Sequence, residues 1–191
     1  EVMLTHDGSN DYDLEVSPLT GEVTAADLDA YPWPDPDDPG RYRGLREEAL
    51  RLRKETDYAV VGHCPGGWIH ISQYLRGFEP WFEDLILRPD FAVALMERAL
   101  DLSLRMARHY LDQVGDLIDV VAVGDDVAMQ RGSMVSHPMY RELIWPLQKR
   151  QFTLLRERTK AKIFYHTCGA VTSILPDIIE LGVDILNPVQ V

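Results

Sequence analysis

Four places in the sequence put residues capable of chemistry directly after short apolar runs: His63 and Cys64, Asp125 and Asp126, His166 and Cys168, and Asn187 with Gln190. The sharpest is His166-Thr-Cys168. Residues two apart on an extended backbone point the same way, so this triplet presents an imidazole and a thiol to one point. The pair suits zinc, which takes nitrogen at ~2.0 to 2.1 Å and sulfur at about 2.3 Å; a catalytic zinc keeps three protein ligands and one open position. Cys64, His63 or a residue C-terminal to this sequence is the candidate third ligand. The competing reading is a His and a Cys that are only buried and hydrogen-bonded, and on pattern alone the two stand level. Asp125 and Asp126 suit general acid/base work or a clamp on a cationic or amide-bearing substrate; the alternative is a loop pair capping the next helix. Tyr74 offers a phenolic donor to a pocket, or packs beside Leu75 and Phe78. His137 reads as structural, and Trp68, Trp81 and Trp145 as packing anchors.

The elements that must carry these residues alternate. An amphipathic helix runs from Gly44 to about Thr56 on Leu45, Ala49 and Leu52, and a β-branched run, Tyr58 to Gly62, follows as a buried strand. A helix over Ile69 to Leu75 comes next, then a long one opened by Pro89-Asp90 and ended by Gly115. Leu117 to Val123 is the second strand, with Gly124 to Gly132 its loop, and Ser136 caps a helix with Pro138 in its first turn. Lys162 to Tyr165 is the third strand, Pro176 to Leu181 a short helix stopped by Gly182, and Val183 to Leu186 the fourth strand. Strands without a polar face, alternating with helices, predict a parallel α/β sheet, either doubly wound or closed as a (β/α)8 barrel. In a barrel the loops after the strands share one face, so all four chemical groups would crowd a single mouth. No phosphate-binding glycine pattern follows any strand, which disfavours a nucleotide fold.

Composition bounds the function. The chain has 191 residues, 46% of them hydrophobic and 26% charged, as in one ordinary globular domain. Residues 1–42 read as an irregular connector, because the prolines between Tyr31 and Pro39 forbid helix and central strand, and residues 43–191 as the alternating region. A net charge of −12 opposes nucleic acid and gives an anionic membrane surface nothing to attract. The apolar runs fall short of the roughly 20 residues of a membrane span. Two cysteines, Cys64 and Cys168, are too few for a disulfide framework and point to a reducing cytoplasm. With no initiator Met and a terminal strand running into its loop, the sequence reads as a fragment.

The segments Gly124-Asp-Asp-Val-Ala-Met-Gln-Arg-Gly132, Ser136-His-Pro-Met-Tyr-Arg-Glu-Leu-Ile-Trp-Pro146 and His166-Thr-Cys-Gly169, followed by the run from Ile174 to Gln190, resemble the uroporphyrinogen decarboxylase superfamily. The stretches Tyr31-Pro-Trp-Pro-Asp-Pro36 and Gln73-Tyr-Leu-Arg-Gly-Phe78 fit it too. The resemblance implies a (β/α)8 barrel of which this chain is an incomplete middle portion, roughly the third to sixth strands. It implies one of two chemistries: decarboxylation of uroporphyrinogen in porphyrin biosynthesis, or methyl transfer from a methylated corrinoid (cobalamin-type) protein to a thiol or tetrahydrofolate. Thiol-methylating members bind zinc through a His-x-Cys pair and a later cysteine; His166 and Cys168 fall on the pair, and the later position is not in this sequence. Where the decarboxylases resemble Phe-Asp-Ser this chain has Gly124-Asp-Asp126, so a substrate-binding serine is lost. They also lack the His-x-Cys pair.

The resemblance therefore points to a corrinoid-dependent methyltransferase assisted by zinc on His166 and Cys168, with a corrinoid protein and a small-molecule acceptor as partners and a homodimer as a candidate assembly. In that expectation Asp126 and Tyr74 are catalytic, and His63, Asp125, Asn187 and Gln190 bind substrate. The rival expectations are a uroporphyrinogen decarboxylase and a barrel that only docks a corrinoid protein.

Overall fold

The structure is a computed structural model and describes residues 3–5, 12–14 and 16–190. In chain order the described elements begin with an antiparallel pair, β1 (Met3–Thr5) and β2 (Tyr12–Leu14), then α1 (Ala25–Ala30), a 3-10 turn (Pro39–Tyr42), α2 (Leu45–Glu55), β3 (Val61–His63), α3 (Trp68–Arg76), α4 (Phe78–Leu87) and α5 (Pro89–Val114). They continue with β4 (Val120–Gly124), a short antiparallel pair β5 (Ala128–Met129) and β6 (Gly132–Ser133), and α6 (His137–Met139), which runs through a π turn (Tyr140–Ile144) into α7 (Trp145–Arg158). Then follow β7 (Lys162–His166), a 3-10 turn (Thr172–Ile174), α8 (Leu175–Glu180) and β8 (Ile185–Asn187). Two compact units emerge, one within Glu1–Trp33 and Trp68–Ala99, the other Pro34–Gly67 and Leu100–Val191.

The second unit holds a four-stranded parallel sheet, β3-β4-β7-β8. The chain is thus α/β with a parallel sheet. Each new strand joins the same edge in chain order, with no reversal of direction among the described parallel strands. One sheet face is buried: Val121, Ile163 and Tyr165 are shielded from solvent, and Tyr165 meets Phe152 of α7 edge-on at 5.3 Å between ring centroids. On the other face the register aligns Val61, Phe164 and Ile185 with the strand-end residues His63, His166 and Asn187. That face is open, with Val61 48% and Ile185 39% exposed.

Several boundaries differ from the sequence reading, each for a local reason. The first parallel strand starts at Val61 rather than Tyr58, because Asp119, just before β4, engages the chain at Val60: its carboxylate accepts from the Val60 N–H at 2.8 Å, and its own N–H donates to Val60 O. Helix α4 is not anticipated from the sequence, since Gly77 and Pro80 look like breakers. Gly77, at φ 90°, ends α3, and Pro80 sits in the first turn of α4, where no donor is needed. The stretch read as an irregular connector carries α1, opened by Thr24, whose N–H and hydroxyl both donate to Asp27 (2.8 and 2.7 Å). The helix after Ser136 widens into a π turn just before Pro146; the Trp145 N–H reaches back five residues to Tyr140 O, which accommodates a proline that cannot donate. Among the described residues no helix is long and apolar enough to cross a membrane.

The first unit is organised around a buried ion pair. Arg76 of α3 donates through Nε to Asp84 of α4 at 2.7 Å and through Nη1 to the carbonyls of Leu19 and Gly21, each at 2.9 Å. Both side chains are under a tenth exposed, so the guanidinium joins two helices and the preceding loop where solvent has little access. Asp84→Ala leaves that cation buried and uncompensated, and is expected to lower stability by about 3–5 kcal/mol. Urea unfolding followed by circular dichroism checks this; a loss under about 1 kcal/mol, the scale of an exposed pair, would contradict it.

Candidate metal centre at the strand ends

The carboxyl ends of the parallel strands deliver the chemistry. His166 is the last residue of β7, flanked in register by Gly124 of β4 and Asn187 of β8. A Cβ on Gly124 would lie 3.3 Å from that of His166, so glycine leaves the imidazole its space. Thr167 is fully buried, its hydroxyl accepting from Val127 N–H at 3.1 Å, while Cys168 comes back to the exposed side. The alternation read from the sequence thus continues past the strand, and Cys168 Sγ stands 3.3 Å from His166 Nε2. Gly169 then turns the chain at φ 96°; any Cβ there would fall 2.5 Å from the backbone of Ala128.

Asp126 completes a trio. Its Oδ1 accepts the Cys168 N–H at 2.7 Å, and one donor atom from each of Asp126, His166 and Cys168 lies within 4.8 Å of the others. The nitrogen–sulfur separation is near the ~3.5 Å edge of a tetrahedron with Zn–N ~2.0 to 2.1 Å and Zn–S about 2.3 Å. A nitrogen, a thiol sulfur and a carboxylate oxygen form a donor set that zinc accepts.

The other strand-end residues hold this trio in place. Asn187 Oδ1 lies 2.8 Å from His166 Nδ1, and Asn187 O accepts the Thr167 N–H at 2.9 Å. Gln190 Oε1 accepts from Gly169 N–H at 2.9 Å, and its Nε2 donates to Gln130. The peptide of Asp125 is pinned on both sides: its N–H donates to His166 O at 3.0 Å and its carbonyl accepts from Tyr165 OH at 2.7 Å. Behind it runs a buried relay in which Tyr140 OH donates to Gln148 (2.6 Å) and Gln148 Nε2 donates to Tyr165 OH (2.9 Å). Burial first, and the nearby Asp125 charge second, push the Tyr165 phenol far up, so it remains a donor.

The remaining candidates are not members of the trio. A cavity of about 400 Å³ is lined by His63, Cys64, Gly124, Phe164 and His166, so His63 faces the same space as His166. Cys64 is buried, and burial pushes its thiol up to about 12, which keeps it protonated at neutral pH and a poor ligand. Neither belongs to the donor cluster found among the described residues. Asp125 is buried beside the relay. Tyr74 lies on α3 in the first unit, half exposed, between the rings of His70 and Phe78. His137 meets Asp177 at 2.8 Å, and Asp177 also accepts from Arg141, consistent with a structural part. Sequence reasoning missed Gln130 and the relay; the signal for the relay was Gln148 and Tyr140, polar groups on the buried side of a helix.

Comparison with known proteins agrees with this architecture. The family model described as uroporphyrinogen decarboxylase (URO-D) matches residues 14–188. No curated protein matches the sequence. Among solved structures, a methyltransferase from Methanosarcina mazei superposes with a TM-score of 0.68 at 18% identity, covering 97% of this chain and 51% of its own; the chain spans about half the length of that protein. With the family match running through all four parallel strands and the donor trio, the chain belongs to the uroporphyrinogen decarboxylase family.

Proposed function

We propose that this chain forms part of a zinc-assisted methyltransferase that moves a methyl group from a methylated corrinoid protein to a thiol or tetrahydrofolate acceptor. The observation that carries this reading is the convergence of His166 Nε2, Cys168 Sγ and the Asp126 carboxylate at the strand ends. A barrel of eight strands is part of the proposal. It is supported by the chain-order winding, by the open apolar face of Val61, Phe164 and Ile185, and by the match to half of a longer methyltransferase. Closure would cover that face with further strands and leave the trio at the rim.

In this reading His166 and Cys168 hold the metal and Asp126 supplies the third protein ligand, leaving one position for the acceptor. Bound zinc lowers the pKa of an acceptor thiol and so raises its nucleophilicity at neutral pH. The net reaction breaks a cobalt–carbon bond, leaving the electron pair on cobalt, forms a bond from carbon to the acceptor atom, and releases the acceptor's proton. His63, across the 400 Å³ cavity, lines the approach to the acceptor. A cytoplasmic setting fits the exposed, unpaired thiol of Cys168.

The family's own description favours a second reading, decarboxylation of uroporphyrinogen, in which Asp126 steadies the charge that develops as carbon dioxide leaves. Release of carbon dioxide from uroporphyrinogen by metal-free protein would select it.

Elemental analysis of the purified native protein is expected to find close to one zinc per chain, and His166→Ala is expected to abolish it; a protein that takes up no zinc rules out the metal reading. The third ligand separates by substitution. Asp126→Ala is expected to weaken zinc retention against a chelator, whereas Cys64→Ser leaves it unchanged. Undiminished retention in Asp126→Ala would pass the role to Cys64 if Cys64→Ser loses zinc, and otherwise to His63 or a residue C-terminal to this sequence.

A further inference from the structure

The two ring nitrogens of His166 face different elements, and their partners differ in kind. Nδ1 lies 2.8 Å from the amide oxygen of Asn187, and Nε2 lies 3.3 Å from Cys168 Sγ. An amide oxygen can only accept, so the hydrogen of that contact belongs to Nδ1. A neutral imidazole carries a single ring hydrogen, and the lone pair is then on Nε2, the nitrogen beside the Cys168 sulfur.

Asn187 is itself held firmly enough to impose this. It is the last residue of β8, paired in register with His166, and its carbonyl accepts the N–H of Thr167 at 2.9 Å. Three residues on, Gln190 grips the same loop through Gly169 N–H at 2.9 Å and is braced by Gln130. The carboxyl end of β8 therefore contacts the His166–Gly169 turn at three successive points: ring, backbone and glycine.

We propose that Asn187 is the positioning residue that fixes the Nδ1–H tautomer and ring plane of His166, so that Nε2 faces the donor cluster as a lone pair. This replaces the substrate-orienting part expected for Asn187 from the sequence. Only the zinc arm of the test rests on the metal reading above.

The test uses the full chain with ¹⁵N-labelled histidine. In the metal-free protein a long-range ¹H–¹⁵N correlation reads the tautomer of each imidazole, with His166 identified by its absence in His166→Gln. The expected result is Nδ1–H in the wild type, retained in Asn187→Asp, which keeps an oxygen acceptor, and lost in Asn187→Leu. A wild-type His166 carrying Nε2–H overturns the role, and so does an Asn187→Leu protein with the tautomer unchanged. In the second arm, chelator competition is expected to give zinc affinity 10- to 100-fold weaker, a factor of order typical for such partners, in Asn187→Leu and close to wild type in Asn187→Asp. Equal affinity in wild type and Asn187→Leu counts against the role. If the wild type binds no zinc, the metal reading fails and the tautomer result alone decides. Thermal unfolding of each variant separates a lost fold from a lost orientation, and the wild-type tautomer decides independently of the Asn187 variants.

Discussion

An imidazole and a thiol can share one point only if the residue between them is committed elsewhere, and here Thr167 is. Its side chain is fully buried and its hydroxyl accepts the N–H of Val127, so the backbone cannot rotate Cys168 away without exposing or orphaning a buried polar group. Leaving such a group without a partner costs about 1–3 kcal/mol, about twice the net worth of an ordinary hydrogen bond. The two glycines around the pair act in the same direction. Gly124 leaves room beside the imidazole, and Gly169 lets the chain turn where a Cβ would fall 2.5 Å from the Ala128 backbone. The centre thus depends less on the chemistry of its donors than on the neighbours that forbid other conformations.

A similar division operates on the neighbouring loop. Asp125 and Asp126 are adjacent in sequence but go to opposite sides. The peptide of Asp125 is clamped between His166 O and the Tyr165 phenol, and Asp126 turns out to accept the Cys168 N–H. The relay from Tyr140 through Gln148 to Tyr165 fixes that clamp from inside the helix layer. Because each member of such a buried chain polarises the next, the network behaves as one unit rather than as separate contacts. Its consequence lies at the surface: the Asp126 carboxylate is delivered to the cysteine from a rigid support.

This explains what the sequence could and could not disclose. Alternating apolar runs and helical stripes made the parallel α/β sheet legible, and the position of His166, Cys168, Asp126 and Asn187 after those runs made the cluster legible. Which of several neighbours would join it was not. Cys64 and His63 are the same residue types at an equivalent strand end, yet β3 runs only to the level of Ala122, two residues short of where β4 meets His166. Burial then keeps the Cys64 thiol protonated. Strand length and register decide this, and neither is written in local composition. α4 stayed hidden for a related reason: Gly77 and Pro80 are breakers in isolation and boundary markers in context.

The open face of the sheet ties fold to site. Phe164 lies two residues before His166 on the same side of β7, and Ile185 stands in the same relation to Asn187. A polar rim above an apolar floor is therefore built into the period-two alternation of the strands. Whatever covers that floor also excludes water from beneath the donors, and electrostatic interactions strengthen steeply as the local dielectric falls. With that floor covered, a cation at the proposed centre would be held more strongly by the carboxylate, imidazole and thiol than by the same three groups on a solvated loop. The apolar residues that predict the sheet from sequence thereby also form the floor beneath the strand-end donors.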